Sequence, residues 1–347
     1  MHSDELLERA LLVALAVPDE RDLALLWRAA REAPDHAPAE VAGLSPGARA
    51  WLRALERERA PAREVERAQR LGFELVPWGD ARWPEPFADL AGPPPLLWLR
   101  GRGPWPPQQP VTTVGARSST ARGRAFAREL GAGVAERGGS VVSGLAIGID
   151  QAAHEGALAA DGACYAVLAC GADRIYPPGA APLAAGIERR GRIVSEMPPG
   201  TPPLKSHFPR RNRLLAALSK ATLVVEADVK SGSLLTAHRA LELGRGVHAV
   251  PGAIDAPTSR GTNRLIRDGA HPLLEVGDLD LLLHSPRGTA RRDVHDELLA
   301  ALAAPASADT LADRLGVAVD RLLVRLVELE ADGRVARLGG GLYARVP

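Results

Sequence analysis

VTTVGARSSTARGRAFARELGAGVAERGGSVVSGLAIGID, residues 111–150, decides the reading of the fold. It opens on an apolar run, VTTVG (111–115), and passes through a helical stretch containing Phe126 and Leu130. It then reaches a second run, SVVSG (140–144), and enters another helix from Asp150. Neither run alternates apolar with polar residues. Strands covered on both faces of a parallel sheet read this way.

The pattern continues downstream. CYAVLAC (164–170) precedes a helix near 180–189, and RIVSE (192–196) precedes a long loop and a helix near 210–218. TLVVEA (222–227) precedes a helix from about 232, and GVHAVPG (246–252) one near 260–268. Six strand–helix units in a row predict an α/β fold with a doubly wound, mostly parallel Rossmann-like sheet. Upstream, residues 77–110 are rich in Pro and Trp, with Leu96–Leu99 predicted as a strand between turns. Residues 1–72 read as a small helical (SAM-like) domain, with Leu6, Leu7, Ala10, Leu11 and Val13 at helical spacing. Its GLSPG turn (43–47) weakly resembles the hairpin of a helix-hairpin-helix, but so acidic a segment would repel phosphates.

Beyond Pro286 the text changes. Helices are predicted at 294–305, 307–316 and 317–333, the second with Ser307 or Asp309 as N-cap and Gly316 at its end. Two short strands around a Gly turn follow at 334–346, which completes a winged-helix pattern. The expected domains are therefore 1–72, 73–285 and 286–347.

The 347 residues carry 43 basic and 42 acidic side chains, a net charge of +1. The balance is uneven: residues 1–75 are net −3, residues 76–285 net +4 and residues 286–347 net 0. A polyanion site belongs in the middle segment. Two cysteines, Cys164 and Cys170, exclude a disulfide scaffold and a four-cysteine zinc site. No apolar run is long enough to span a membrane, and no basic-then-apolar leader opens the chain, so a cytoplasmic protein is expected.

Ligands of open α/β sheets bind beyond the carboxyl ends of the strands. After the first strand come Gly115 and Arg117, at a helix N-terminus suited to an anion. The stretch is neither GxGxxG nor a P-loop. After the second come Ser143 and Gly144, with Asp150 read as a helix cap and His154 as a packed histidine. The densest signal is the predicted loop Lys205–Arg213, with Lys205, Phe208, Arg210, Arg211, Asn212 and Arg213. Cations beside an aromatic suit single-stranded nucleic acid, neutralising phosphates and stacking a base. After the fifth strand, Ser231, Gly232, Ser233 and Thr236 form a second anion cradle. Glu196 and Glu226 follow strands without a nameable partner. No nucleophile elbow, HExxH or CxxC is present, so no catalytic residue, cofactor or metal ligand is expected.

Taken together, VGARSSTARGRAFARELG, VVSGLAIGIDQAAHEGAL, AVLACGADRIYP, IVSEMPPGTPP, FPRRNRLLAALS and VVEADVKSGSLLTAHRALELGR resemble the DNA-processing protein A (DprA/Smf) family, over residues 80–275. The resemblance implies a non-enzymatic binder of single-stranded DNA. It would protect incoming strands during natural transformation or recombination, load the RecA recombinase and act as a homodimer. The family's phosphate-contacting Arg falls on Arg117, its Lys on Lys205 and its stacking aromatic on Phe208. Its RNR triplet falls on Arg211, Asn212 and Arg213, and its SGS turn on Ser231, Gly232 and Ser233. Three departures stand out: Ala116 where a hydroxyl residue is usual, Ile147 where Arg is common, and Ala180 in place of Asn. An alternative on the same fold is a nucleotide-binding hydrolase resembling the lysine-decarboxylase-like phosphoribohydrolases. Those enzymes need PGGxGTxxE, and Pro251–Thr262 lacks the second Gly and the Glu.

Overall fold

The computed structural model describes residues 3–16, 20–32 and 37–283, together with 298–299, 301–302, 304–315, 319, 322–323, 326, 329–330 and 334–346. Four helices come first: α1 (Ser3–Ala16), α2 (Glu20–Glu32), α3 (Pro46–Arg57) and α4 (Ala60–Arg70). Strands β1 (Glu74–Pro77) and β2 (Leu96–Gly101) lead into the alternating core. That core runs β3 (Pro110–Val114), α5 (Ala121–Glu136), β4 (Ser140–Ser143), α6 (Ile149–Ala159), β5 (Ala163–Val167), α7 (Ala181–Arg190) and β6 (Arg192–Ser195). It continues α8 (His207–Leu218), β7 (Ala221–Val224), α9 (Gly232–Glu242), β8 (Gly246–Ala249), α10 (Pro257–Arg267), β9 (His271–Pro272) and α11 (Leu279–Leu283).

The strands join one nine-stranded sheet in the order β1-β2-β6-β5-β4-β3-β7-β8-β9. From β6 to β9 every pairing is parallel, whereas β2 joins β6, and β1 joins β2, antiparallel. The predicted α/β class and doubly wound sheet are thus what the chain forms. The unbroken apolar runs have a direct cause. Val141, Cys164, Ile193 and Leu223 enter one hydrophobic cluster with Ala127 and Leu130 of α5 and Ala153 of α6. Their neighbours Val142, Tyr165, Val194 and Val224 enter the opposite cluster, with Leu214 of α8, Ala237 of α9 and Leu265 of α10. Both faces of each strand are therefore apolar. Helices α5 and α6 approach so closely that a Cβ on Gly156 would lie 1.9 Å from the Arg128 carbonyl oxygen and one on Gly131 2.0 Å from that of Ala153.

The N-terminal helices share the first cluster, through Leu11, Leu23 and Leu52. An aromatic group ties α2 to the Pro/Trp stretch, with Trp27 5.3 Å from Trp78 and 5.1 Å from Trp83 between ring centroids. Residues 1–284 form one compact unit and residues 285–347 a second. In the second unit β10 (Ala306–Ser307), β12 (Leu342–Arg345) and β11 (Val335–Arg337) pair antiparallel in that order. Ser307, rather than Asp309, caps the helix Ala308–Leu315, its Oγ accepting from the Thr310 N–H at 3.2 Å. Leu298, Leu311, Leu322, Leu326 and Tyr343 build its core. The expected stop at Gly316, and most of the predicted helices 294–305 and 317–333, lie outside the described residues.

Candidate nucleic-acid interface

Strand order reverses between β3 and β7: from β3 the chain winds outward through β4, β5 and β6, then returns to lay β7 on the other side of β3. Loops leaving the two carboxyl ends diverge at such a point and leave a crevice. Across it the Ala116 N–H donates to the Glu226 carbonyl at 2.7 Å. The Glu226 carboxylate accepts from the Thr120 N–H at 2.8 Å and from its hydroxyl at 2.6 Å. Thr120 Oγ1 in turn accepts from the Gly123 N–H at 2.9 Å and so caps α5. Glu226 therefore pins the loop after β3 to the loop after β7.

The crevice opens as a cavity of about 590 Å³. Of the predicted site residues, Gly115, Arg117, Phe208, Arg211, Asn212, Ser231, Gly232, Ser233 and Thr236 line it. Ser143, Gly144, Lys205, Arg210 and Arg213 do not. Ser143 is buried beneath the crevice and donates its hydroxyl to the Thr113 carbonyl at 2.6 Å. Gly144 is what lets Arg211 in, since a Cβ there would lie 2.2 Å from Arg211 Nη1. Lys205 is exposed on the turn before α8.

The predicted cationic loop is corrected by the structure. Helix α8 begins at His207, so Phe208 through Arg213 are helical. Pro209 is tolerated because it falls in the first turn, where backbone N–H groups have no intrahelical acceptor. Burial then divides the cations. Arg213 is buried against the Glu196 carboxylate, and Arg210 approaches the same carboxylate at 3.4 Å. Glu196 was the acid the sequence left without a partner.

Arg211 is fully buried at the cavity floor and donates to the Val167 carbonyl. Its Nε donates to Asn212 Oδ1 at 3.2 Å, and Asn212 Nδ2 donates to the Gly232 carbonyl at 3.2 Å. Arg211 and Asn212 thus link the end of β5 to the start of α9. Burial pulls the Arg211 pKa down to about 10, opposed by Asp150, so the guanidinium is charged at neutral pH. Asp150 is not the α6 cap, which is Gly148. Its buried carboxylate instead accepts from the N–H groups of Gly144 at 3.1 Å and Ala146 at 3.3 Å. Burial raises its pKa, opposed by Arg211.

At the opposite wall Ser231 caps α9, its Oγ 2.7 Å from Ser233 Oγ and accepting from the Ser233 N–H at 3.4 Å. Thr236 is buried behind them. Lys230, which leads into the Ser231–Thr236 cradle, also lines the cavity, as do residues that sequence reading missed, Asp228, Pro257 and Thr258. The last two open α10, which has no side-chain cap. Their signal is Pro at the first helical position. Two helix N-termini and three cations, Arg117, Lys230 and Arg211, thus meet over two acids, Asp150 and Asp228. That arrangement suits a phosphate. At the rim, the Arg117 guanidinium lies 5.0 Å over the half-buried Phe208 ring.

One buried histidine and the two cysteines stay out of this chemistry. His154 is fully buried with neither ring nitrogen hydrogen-bonded, and burial pulls its pKa down to about 3. Burial pushes the Cys164 thiol up to about 12 and Cys170 up to about 11. Both thiols are therefore protonated and weakly nucleophilic at neutral pH. Among the described residues no three His, Cys, Asp or Glu side chains gather as a metal site, and no helix is long and apolar enough to cross a membrane.

Residues 74–283 match the family described as DNA recombination-mediator protein A, and residues 284–341 match the DprA winged helix domain. The DNA processing protein DprA of Mycobacterium tuberculosis is 35% identical over 257 residues, which covers 68% of this chain and 66% of that one, just under two thirds. The structure of DNA processing protein A from Streptococcus pneumoniae superposes with a TM-score of 0.68 at 29% identity, covering 77% of this chain and 94% of that one. That of DNA processing protein A from Helicobacter pylori, solved for its single-stranded DNA binding mode, gives 0.55 at 28% identity over 61% of this chain and 95% of that one. With the family match spanning β1 to α11 and a winged-helix match behind it, the chain belongs to the DNA processing protein A (DprA/Smf) family.

Proposed function

We propose that this chain binds single-stranded DNA in the crevice between β3 and β7, without turning it over. The observation that carries the reading is the convergence of cations and two helix N-termini beside an aromatic rim. Phosphate is held at the amides and guanidinium groups, and an unstacked base meets the rings. A duplex offers its bases only at their edges, so it cannot present a base face to Phe208. In this reading the protein protects single strands in the cytoplasm, loads a RecA recombinase onto them and works as a homodimer. Sequestering a strand and passing it on needs no bond-making group, and the crevice residues are binding groups.

Fluorescence anisotropy with labelled single-stranded and duplex oligonucleotides of one length tests the reading. Single strands are expected to bind at least tenfold more tightly, with the preference lost in the Arg117→Ala/Lys230→Ala double variant. Equal affinity for the two forms contradicts it. For the loading role, RecA filament formation on strands already coated by a single-strand binding protein is expected to start earlier when this protein is added. No acceleration would remove that part of the reading.

A further inference from the structure

We propose that Tyr176 is a second stacking platform for single-stranded DNA, and that the loop after β5 forms an outer arm of the interface with the exposed Arg174 two residues away on the same loop. The inference rests on the single-strand reading above and extends it to residues outside the crevice.

Phe208 is not an open platform. The Arg117 guanidinium sits 5.0 Å above its ring, so a cation occupies one face. Tyr176 packs against it, centroids 6.0 Å apart and planes at 64°, in an edge-to-face pair. Tyr176 is the more open ring, at 41% exposure. A base arriving from solvent reaches Tyr176 without displacing Arg117 from Phe208. The two rings then offer successive surfaces, one beside the phosphate cradle and one a step further out.

The loop presents this ring from a fixed frame. The Gly171 N–H donates to the Thr201 carbonyl at 3.0 Å, and the Arg174 N–H to the Gly171 carbonyl at 2.9 Å. Cys170 Sγ lies 3.1 Å from the Arg174 carbonyl, and the Asp173 carboxylate accepts from the Gly200 N–H at 2.8 Å. Ile175, between the two proposed contacts, packs on the hydrophobic core. A ring held this way loses little freedom on binding. Its phenol makes no hydrogen bond among the described residues, and the exposed Arg174 side chain makes no ion pair among them. An exposed aromatic and an exposed cation two residues away on the same loop fit a nucleotide base and a backbone phosphate.

The test uses the full chain, a fluorescent oligothymidylate and the same strand carrying a run of abasic sites. Tyr176→Ala is expected to weaken binding to the ordinary strand about tenfold, the order that stacking one base contributes. Tyr176→Phe is expected to restore wild-type affinity within about twofold. On the abasic strand wild type and Tyr176→Ala should bind alike, because the partner of the ring is gone. Arg174→Ala should reduce the salt slope of binding by about 0.7, one phosphate on a single strand. Unchanged affinity in Tyr176→Ala, alongside a clear loss in Arg117→Ala, overturns this inference and leaves the crevice reading standing. An equal loss on ordinary and abasic strands also overturns it, because the ring then acts through the fold. Failure of wild type to bind either strand removes both readings.

Discussion

His154 makes the stability of the α5–α6 face depend on pH. It is fully buried on α6 with neither ring nitrogen hydrogen-bonded, and burial holds its pKa near 3 against 6.5 for an exposed histidine. The folded state therefore keeps it neutral, while the unfolded chain takes up a proton as pH falls below 6.5. A depressed folded pKa contributes stability that is fully present above the unfolded value and is lost as pH drops toward 3. Each unit of pH in that window costs about 1.4 kcal/mol. Between pH 7 and pH 5 the loss from this residue alone is about 2 kcal/mol. Replacing it with leucine removes the titration and leaves no buried polar atom unsatisfied. Urea unfolding followed by tryptophan fluorescence reads the right unit, since all six tryptophans (27, 51, 78, 83, 98 and 105) precede residue 284. His154→Leu is expected to shrink the drop in unfolding free energy between pH 7 and pH 5 by about 2 kcal/mol relative to wild type. A difference below about 0.5 kcal/mol would refute the claim that the ring is neutral and sealed, since one pKa unit is worth 1.36 kcal/mol.

Three further outcomes are expected. Glu196→Ala strips the carboxylate from the buried Arg213 and from Arg210, and should destabilise the 1–284 unit by about 3 kcal/mol in the same urea assay, as breaking a buried ion pair does. Replacing both partners, as Glu196→Met with Arg213→Met, should recover part of that loss; equal destabilisation in the double variant would mean that the pair is not the cause. Deleting residues 287–347, a segment of net charge 0, should leave single-strand affinity unchanged, whereas a tenfold loss would give the winged helix a direct part in binding. Incubation with nucleoside monophosphates should release no free base by chromatography; detectable release would revive the hydrolase alternative.

The parallel sheet was legible in the sequence because double burial leaves an unmistakable mark, six unbroken apolar runs such as SVVSG and CYAVLAC. The strands β1 and β9 were not. Strand β9 has only two residues, and β1 carries no unbroken apolar run, its Glu74 and Pro77 pairing antiparallel with Leu99 and Leu96 across the Pro/Trp stretch. At the site, residue type was readable but environment was not. Lys205, Arg210, Arg211 and Arg213 look alike on paper. Only the fold brings Glu196, from a different strand end, between two of them, and buries a third behind Gly144. Asp150 shows the same limit, since capping residue types are also good acceptors for loop amides. Asp228 and Thr258 escaped because their meeting point is created by the β3/β7 crossover, which no local pattern records.

The central claim is that the crevice between β3 and β7 holds the backbone of a single strand. Its most direct test is the affinity of a labelled single-stranded oligonucleotide measured by anisotropy across a salt series, for wild type and for Arg117→Ala/Lys230→Ala, which removes two of the crevice cations. With the three crevice cations Arg117, Lys230 and Arg211 each neutralising a phosphate, the plot of log K against log salt should have a slope of about −2 or steeper in the wild type, shallower by about 1.4 in the double variant. A slope near zero, or one that the double variant leaves unchanged, would place any DNA contact elsewhere on the protein.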